Sequence, residues 1–460
     1  MQSTEDSVKK RVDSVNEVKR RNIVFSILGS VLFLAALAVL RRGSLAPAGK
    51  EEVITIGIFS DSYWEVQNGY SYQILEDAIT LFEKENPGVK VEYVSGILKS
   101  DYPEWLSEQI ILGKAPDVFL VFGDNFSDLA EIGALKSLDA LVEEDREFSS
   151  EVFYASALAC GKYQEEQYAL PYECAPRLMF VNKTILDAEG IAVPEKDWTW
   201  DEFYEICKAV TKDMDGNGTA DQFGVTDYTW SEAFDSNGVQ LFNESGSECY
   251  LADERVKEAI LFMERLEGLC EGYQVTNRDF DLGKVAFRPM LFSEYRAYKS
   301  YPLSIKKYSG FDWECISMPA GESGSNRSQL DTLMIAMNEN TAHKQTAWKF
   351  MKLLAADERM QEEIFDYSEG VSVLKAVTES EKTRQLLIED SGKNSRFNLS
   401  ILSDAVENAV VTYRFRNCEE ALIEVDKAVR DIMEGNANIS MQQTIWNREI
   451  NRLLKNKMEE

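Results

Sequence analysis

The chain has 460 residues, of which 44% are hydrophobic, so it is long and apolar enough for two or three domains with sizeable cores. Of its formal net charge of −30, residues 1–50 contribute +5 from nine Lys/Arg and four Asp/Glu, and residues 51–460 therefore carry −35. A body this acidic repels nucleic acid and anionic lipid headgroups, which excludes nucleic-acid-binding proteins. A single histidine, His343, excludes metal sites built from several histidines.

The N-terminal part contains an unbroken run of 18 apolar or small residues, 23–40, which is long enough to cross a bilayer core of about 30 Å as a helix. Lysines and arginines precede the run, and Arg41 and Arg42 follow it. The positive-inside bias then predicts a cytoplasmic tail at 1–22, a linker at 41–51 and an extracellular body.

A cleavable signal peptide is the rival interpretation of this segment, because Ala46-Pro47-Ala48 resembles a small-residue cleavage site. The protein would then be secreted. Because Arg41 and Arg42 lie between the apolar run and that site, we favour an uncleaved, single-pass anchor in the cell membrane.

From Glu52 onward, short strand patterns alternate with helix patterns, which predicts an α/β fold with parallel layers. Apolar runs and two-residue alternation predict strands at 53–58, 89–93, 118–122 and 178–181. Apolar stripes with helical spacing predict helices at 75–82, 103–113, 199–210, 252–267, 340–356 and 416–435. The helix near 199 has a clear start, since Thr199 and Glu202 form a capping-box pattern.

Seven short motifs follow one another in a familiar order. They include Ala115-Pro116-Asp117-Val118 at a strand start and Thr199-Trp200-Asp201-Glu202-Phe203 at a helix start. The others lie at 82–91, 129–139, 170–172 with 180–183, 283–287 and 347–352. In this order the motifs resemble the family 1 extracellular solute-binding proteins, the group that includes the maltose-binding type receptors.

The resemblance implies the two-lobed, type II periplasmic-binding-protein-like fold, with a mainly parallel sheet in each lobe, flanked by helices, and a hinged cleft between them. Lobe 1 would comprise 52–168 and 320–372, and lobe 2 would comprise 169–319 and 373–460. Such a monomer would capture a small solute, expected to be a mono- or oligosaccharide, and present it to the permease subunits of an ABC importer. The chain departs from the family pattern at Gln329-Leu330-Asp331, where many relatives carry a Gly-Gly pair, so the sugar class stays open.

A cleft for sugars needs aromatic platforms and planar hydrogen-bonding groups, because a sugar ring has apolar faces and a rim of hydroxyls. Residues of these types occur at the predicted strand ends and lobe crossings. The candidate ligand-binding residues are Tyr63, Trp64, Asp124, Tyr172, Glu173, Arg177, Trp230, Glu232, Glu294, Tyr295 and Asp331.

A short acidic loop offers a possible structural Ca²⁺ site, because oxygen-bearing side chains alternate in it, a glycine stands at its sixth position and an acidic residue at its ninth. Its candidate ligands are Asp213, Asp215, Asn217, Thr219 and Asp221. Position twelve is Gly224 and not a bidentate glutamate, which excludes a full EF-hand. A tight turn that binds no metal is the alternative.

The importer receptor requires no cofactor and no catalytic residue, and two other functions are its alternatives. A tethered sensor would need a partner, because the predicted cytoplasmic tail is too short for a signalling domain. A surface carbohydrate hydrolase needs two carboxylates about 5–10 Å apart, and in a chain with 79 acidic residues such pairs are uninformative. The seven cysteines contain no C-x-x-C pair and favour buried thiols, although Cys160 and Cys174 are close enough in sequence to bridge.

Overall fold

The computed structural model describes residues 51–64, 72–300, 311–391, 398–411, 413–435 and 438–459. Eleven strands are defined within these ranges: β1 Glu52–Gly57, β2 Val89–Tyr93, β3 Val118–Val121, β4 Lys162–Tyr163, β5 Glu166–Gln167, β6 Ala169–Asn182, β7 Phe223–Val225, β8 Val285–Leu291, β9 Trp313–Ile316, β10 Leu330–Met337 and β11 Val371–Ser372.

The strands are covered by α-helices. In chain order these are α1 Gln73–Glu85, α2 Tyr102–Ile111, α3 Gly123–Glu131, α4 Asp139–Glu144, α5 Ala155–Ala159, α6 Lys183–Glu189, α7 Trp200–Val210, α8 Trp230–Ser236, α9 Glu254–Gly268, α10 Asn277–Asp281, α11 Phe292–Ser300, α12 Lys344–Ala356, α13 Glu358–Tyr367, α14 Lys375–Thr378, α15 Glu381–Ser391, α16 Leu399–Glu407, α17 Cys418–Glu434 and α18 Ile439–Glu459. The capping box at Thr199 and Glu202 is confirmed, because the Thr199 hydroxyl accepts from the Glu202 amide and the Glu202 carboxylate accepts from the Thr199 amide.

One long strand joins the two lobes. The strand order is β2-β1-β3-β10-β6-β8-β7, with β9 and β11 also paired to β6. The first part of β6, 169–176, pairs with β10 in lobe 1, whereas 177–182 pairs with β8 and β9 in lobe 2. The chain therefore crosses between the lobes within β6.

The sheets are mixed, so the prediction of mainly parallel sheets is wrong. β1 runs parallel to β3, and β7 runs parallel to β8. The pairs β10–β3, β10–β6, β6–β8, β6–β9 and β6–β11 are antiparallel. The physical reason is the crossing, because a strand that returns to lobe 1 beside the outgoing β6 must run the opposite way.

Aromatic packing fills the core of lobe 2. Phe203 of α7 is fully buried and meets Trp198 and Phe287 at ring-centroid distances of 5.3 Å. The C-terminal helices α17 and α18 also contribute residues to this core. The lobe boundaries assigned from the sequence stay a prediction.

The chain divides into two units. Residues 54–85 and 91–460 form one compact unit. Residues 1–53 and 86–90 form the other, and within its described part the Glu52 amide donates to the Gly88 carbonyl at 2.9 Å.

Across the described residues, no helix combines the length and the apolar character needed to span a bilayer. The predicted anchor at 23–40, the tail at 1–22 and nearly all of the linker at 41–51 lie outside those residues. All seven cysteines lie within them and are free, so Cys160 and Cys174 are not bridged. Five are buried, as predicted, and Cys270 and Cys418 are half-buried.

Candidate functional site

The two crossing strands put an acidic and a basic side chain on one face of the sheet. Asp331 of β10 stands opposite Ala175 of β6, and Arg177 lies two residues further along β6. Because side chains alternate along a strand and paired residues share a face, Asp331 and Arg177 are neighbours on that face. Both are half-buried, which keeps them within reach of a solute.

Asp331 lies in a strongly charged environment. Burial raises the pKa of its carboxyl group, and the Asp124 carboxylate raises it further. Arg177, Lys99 and Arg414 oppose this increase. Asp331 can therefore accept hydrogen bonds when ionised and donate one when protonated.

Tyr63 supplies aromatic surface next to these charges, and the buried Trp64 packs against it. Their rings meet edge to face with centroids 4.7 Å apart, and the Lys99 ammonium lies 4.9 Å from the centre of the Tyr63 ring. Burial, followed by Asp331 and Asp124, raises the pKa of Tyr63, so its hydroxyl stays protonated and can donate.

The lobe 2 side of the site is formed by the first turns of α8. The Glu232 carboxylate caps the helix by accepting from the Thr229 amide at 2.9 Å, and its other oxygen lies 3.4 Å from Nε of Arg177. Burial and the nearby Glu232 carboxylate raise the pKa of Asp235 to about 7, although a hydrogen bond with Gln329 lowers it. The side chain of Gln329, the residue before β10, also donates to the Ser231 hydroxyl at 2.8 Å, which links the start of β10 to α8.

A buried carboxylate lies deeper in lobe 1. Glu173 is 4% exposed and accepts a hydrogen bond from the Ser368 hydroxyl. Burial raises its pKa to about 7, although Ser368 and the indole of Trp64 act in the opposite direction. Tyr63, Tyr172 and Glu173 line a cavity of about 80 Å³ beside this group. The pKa of Tyr172 is raised well above its usual value, chiefly by burial.

Three of the predicted ligand-binding residues have other surroundings. Trp230 packs on Phe234 with ring centroids 5.2 Å apart, and its indole N–H donates to Asp426 at 3.1 Å. Glu294 accepts from the Leu291 amide at 3.0 Å at the start of α11. Tyr295 is 5% exposed, and its ring lies 4.7 Å from that of Trp313. The structure does not bring these three side chains to the group formed by Tyr63, Arg177 and Asp331.

The acidic loop is an exposed turn held by its own backbone. Asp213 accepts from the amides of Gly216 at 2.7 Å, Asn217 at 3.1 Å and Gly218 at 2.6 Å. The Asp221 carboxylate accepts from the Met214 amide at 2.9 Å. Within the described ranges, no group of three or more His, Cys, Asp or Glu is placed to hold a metal ion. The candidate ligand set also includes the side-chain oxygens of Asn217 and Thr219, and the calcium site stays a prediction.

Sequence reasoning missed four residues that the fold brings to the site: Lys99, Asp235, Gln329 and Arg414. Asp235 had a usable signal, because it lies one helical turn after Glu232 on a helix that was already implicated. Arg414 had none, since it follows the region that the family motifs cover.

The resulting arrangement combines donors, acceptors and aromatic faces contributed by both lobes. Arg177 has five N–H donors, and Asp331 and Asp235 change from acceptor to donor as they gain a proton. Tyr63 adds apolar ring surface beside them, with the buried Trp64 ring packed edge to face against it. This combination can hold a hydroxylated solute.

Comparison with known proteins gives both a fold and a family. An ABC substrate-binding protein of Listeria monocytogenes in complex with cycloalternan has a TM-score of 0.64 and 20% identity, covering 88% of this chain and 99% of the other. The sugar-binding protein MalE of Xanthomonas citri has a TM-score of 0.71 and 15% identity, covering 88% and 98%. A protein of Brucella abortus (strain 2308) named only as a binding protein is 24% identical over 343 residues, 70% of this chain and 75% of the relative.

The family assignment rests on the sequence match. These structural neighbours share the two-lobed α/β fold, and the family consists of binding proteins, so the prediction that the chain is not an enzyme is confirmed. With residues 65–361 matching its family model, the chain belongs to the bacterial extracellular solute-binding proteins.

Proposed function

We propose that this protein is the solute receptor of an ABC importer and that it captures a carbohydrate between its two lobes. One observation carries the proposal: Arg177 and Asp331 lie on the two crossing strands, and Glu232 of lobe 2 pairs with Arg177. A solute that bonds to these groups contacts both lobes at once, so its binding energy favours closure.

The chemistry of these groups supports a carbohydrate. Neighbouring sugar hydroxyls can donate to a carboxylate and accept from a guanidinium, which Asp331 and Arg177 offer side by side. Tyr63 and Trp64 would cover the apolar face of a ring. Two solved proteins of the same fold are a sugar-binding protein and a complex with cycloalternan, which agrees with this ligand class.

Delivery to a permease and attachment to the membrane complete the proposal. The closed form would be the state that permease subunits recognise. Residues 23–40 would anchor the protein as a monomer, with its body outside the cell, because this run has the length and the flanking charges of a single-pass helix.

The test is a binding measurement on the full-length chain in detergent micelles. Calorimetry and thermal shift against maltotriose, cycloalternan and a panel of monosaccharides should give a saturable increase in melting temperature for at least one sugar, which is recovered unchanged. Asp331→Asn should weaken that binding by about tenfold or more, because it removes a charged acceptor. Asp201→Asn, at a side chain that is 86% exposed on α7, is the matched control and should bind normally.

Two results would contradict the proposal. If no sugar of the panel raised the melting temperature or gave a calorimetric signal, this would argue against a carbohydrate ligand. Hydrolysis of a sugar in the panel would argue against a receptor. Equal binding by Asp331→Asn and the native chain would move the solute away from the crossing strands.

A further inference from the structure

A short segment between α16 and α17, residues 413–417, is anchored in lobe 2; we name it the strap. The Tyr413 hydroxyl accepts from the Leu241 amide at 2.5 Å, and Phe242 meets the rings of Tyr413 and Phe415 at 5.2 and 5.1 Å. Phe415 is 4% exposed and belongs to the lobe 2 core. These contacts fix the strap to lobe 2.

Other residues of the same strap bond to lobe 1. Nη1 of Arg414 donates to the Gly123 carbonyl at 3.1 Å, and its Nε donates to the Cys160 carbonyl at 3.2 Å. The Asn417 amide donates to Oδ1 of Asp128 at 3.1 Å. Gly123 and Asp128 lie on α3, and Cys160 ends α5, which packs on β6 and β10. The strap therefore spans from one lobe to the other.

The span passes beside the solute site. The charge of Arg414 acts on Tyr63 and on Asp331, lowering the pKa of each. Its guanidinium carbon is 5.9 Å from the centre of the Phe126 ring, on the helix that begins where β3 ends. Arg414 thus lies at the edge of the site, and opening of the lobes would separate its donors from their carbonyls.

We propose that Arg414 is a positioning residue that holds lobe 1 against lobe 2 at the edge of the solute site. A fixed fork of N–H donors suits this task, because two nitrogens of one planar group bond carbonyls at the ends of two different helices. Binding of a solute and formation of the two Arg414 hydrogen bonds then favour the same closed arrangement. Only this link to solute capture rests on the proposed function, whereas the contact between the lobes does not.

Hydrogen–deuterium exchange of the full-length chain without solute tests the proposal. Two amides report separately: that of Asn417 is protected only while the strap bonds to lobe 1, and that of Leu241 only while it is attached to lobe 2. In Arg414→Met the Asn417 amide should exchange at least about tenfold faster, since two hydrogen bonds from a charged donor are lost. The Leu241 amide should be unchanged.

Two further variants complete the design. Arg414→Lys keeps the charge but loses the planar fork, and it should give a smaller increase in exchange at Asn417. Arg416→Met, an exposed position on the same strap, should change neither amide. Unchanged exchange at Asn417 in Arg414→Met would overturn the proposal, and so would equal acceleration at Asn417 and Leu241, because the strap would then have detached as a whole. If no sugar of the panel bound, the exchange rates at Asn417 and Leu241 would still test this proposal, since no solute is added.

Discussion

Replacement of Glu173 by glutamine should make the protein less sensitive to pH. The carboxyl group is 4% exposed, and its pKa is about 7 in the folded protein, against 4.5 for the free group. The folded state therefore binds this proton more tightly than the unfolded chain, and stability falls as the pH rises from 4.5 to 7. At about 1.4 kcal/mol per pKa unit, the native chain loses about 3 kcal/mol over this range through Glu173 alone.

Glutamine has nearly the same shape and can still accept from Ser368, but it never ionises. The free energy of unfolding, measured by urea titration from pH 4 to pH 8, should therefore fall less steeply with pH for Glu173→Gln than for the native chain. Between pH 4.5 and 7 the two slopes should differ by the equivalent of about one bound proton. The unfolding free energy of Glu173→Gln minus that of the native chain should increase by about 3 kcal/mol from pH 4 to pH 8. Glu205→Gln, at an exposed position on α7, is the control and should follow the native curve. If Glu173→Gln kept the native slope, burial would not be raising the pKa of Glu173.

Two further predictions concern a metal and a pair of glycines. Ca²⁺ should raise the melting temperature saturably, because three carboxylates lie within one nine-residue loop. Asp215→Asn should abolish this increase. If Ca²⁺ did not raise the melting temperature of the native chain, the loop would be the turn that binds no metal. Gly246→Ala should destabilise, since Gly246 has φ +66° and a Cβ atom would fall 2.1 Å from Cδ2 of Phe415. Gly268 lies at the end of α9, and a Cβ atom there would have no atom within 4 Å. Gly268→Ala should therefore stabilise the protein by up to about 1 kcal/mol. Similar unfolding free energies for the two variants would refute the argument.

Local patterns predicted elements well wherever one sheet or one helix face decides the structure. The apolar run at 118–122 is observed as β3, Val118–Val121, because all four of its side chains are buried. The helix predicted at 103–113 is observed as α2, Tyr102–Ile111. In both cases neighbours in the sequence are sufficient to set the conformation.

Strand β6 shows where local reasoning fails. Only 178–181 was predicted, but the strand runs from Ala169 to Asn182. Pro171 and Pro176 interrupt the pattern of its first half, and Glu173 brings a charge into a buried position. The strand forms because β10 and β11 pair with its first half and β8 and β9 pair with its second, and these partners are more than a hundred residues away in sequence.

The same distance limits what the sequence says about the site. Tyr63 could be proposed because it follows the first predicted strand, and Asp331 because it lies where the chain crosses back between the lobes. Arg414 reaches the site only because its side chain bonds to lobe 1 while its neighbour Phe415 packs in the lobe 2 core, and no local pattern encodes such a division. A basic residue in a loop is ordinarily solvated, so its role follows from the two carbonyls it bonds and not from its type. For a two-lobed receptor, the residues that hold the lobes together are thus less visible in sequence than those that face the solute.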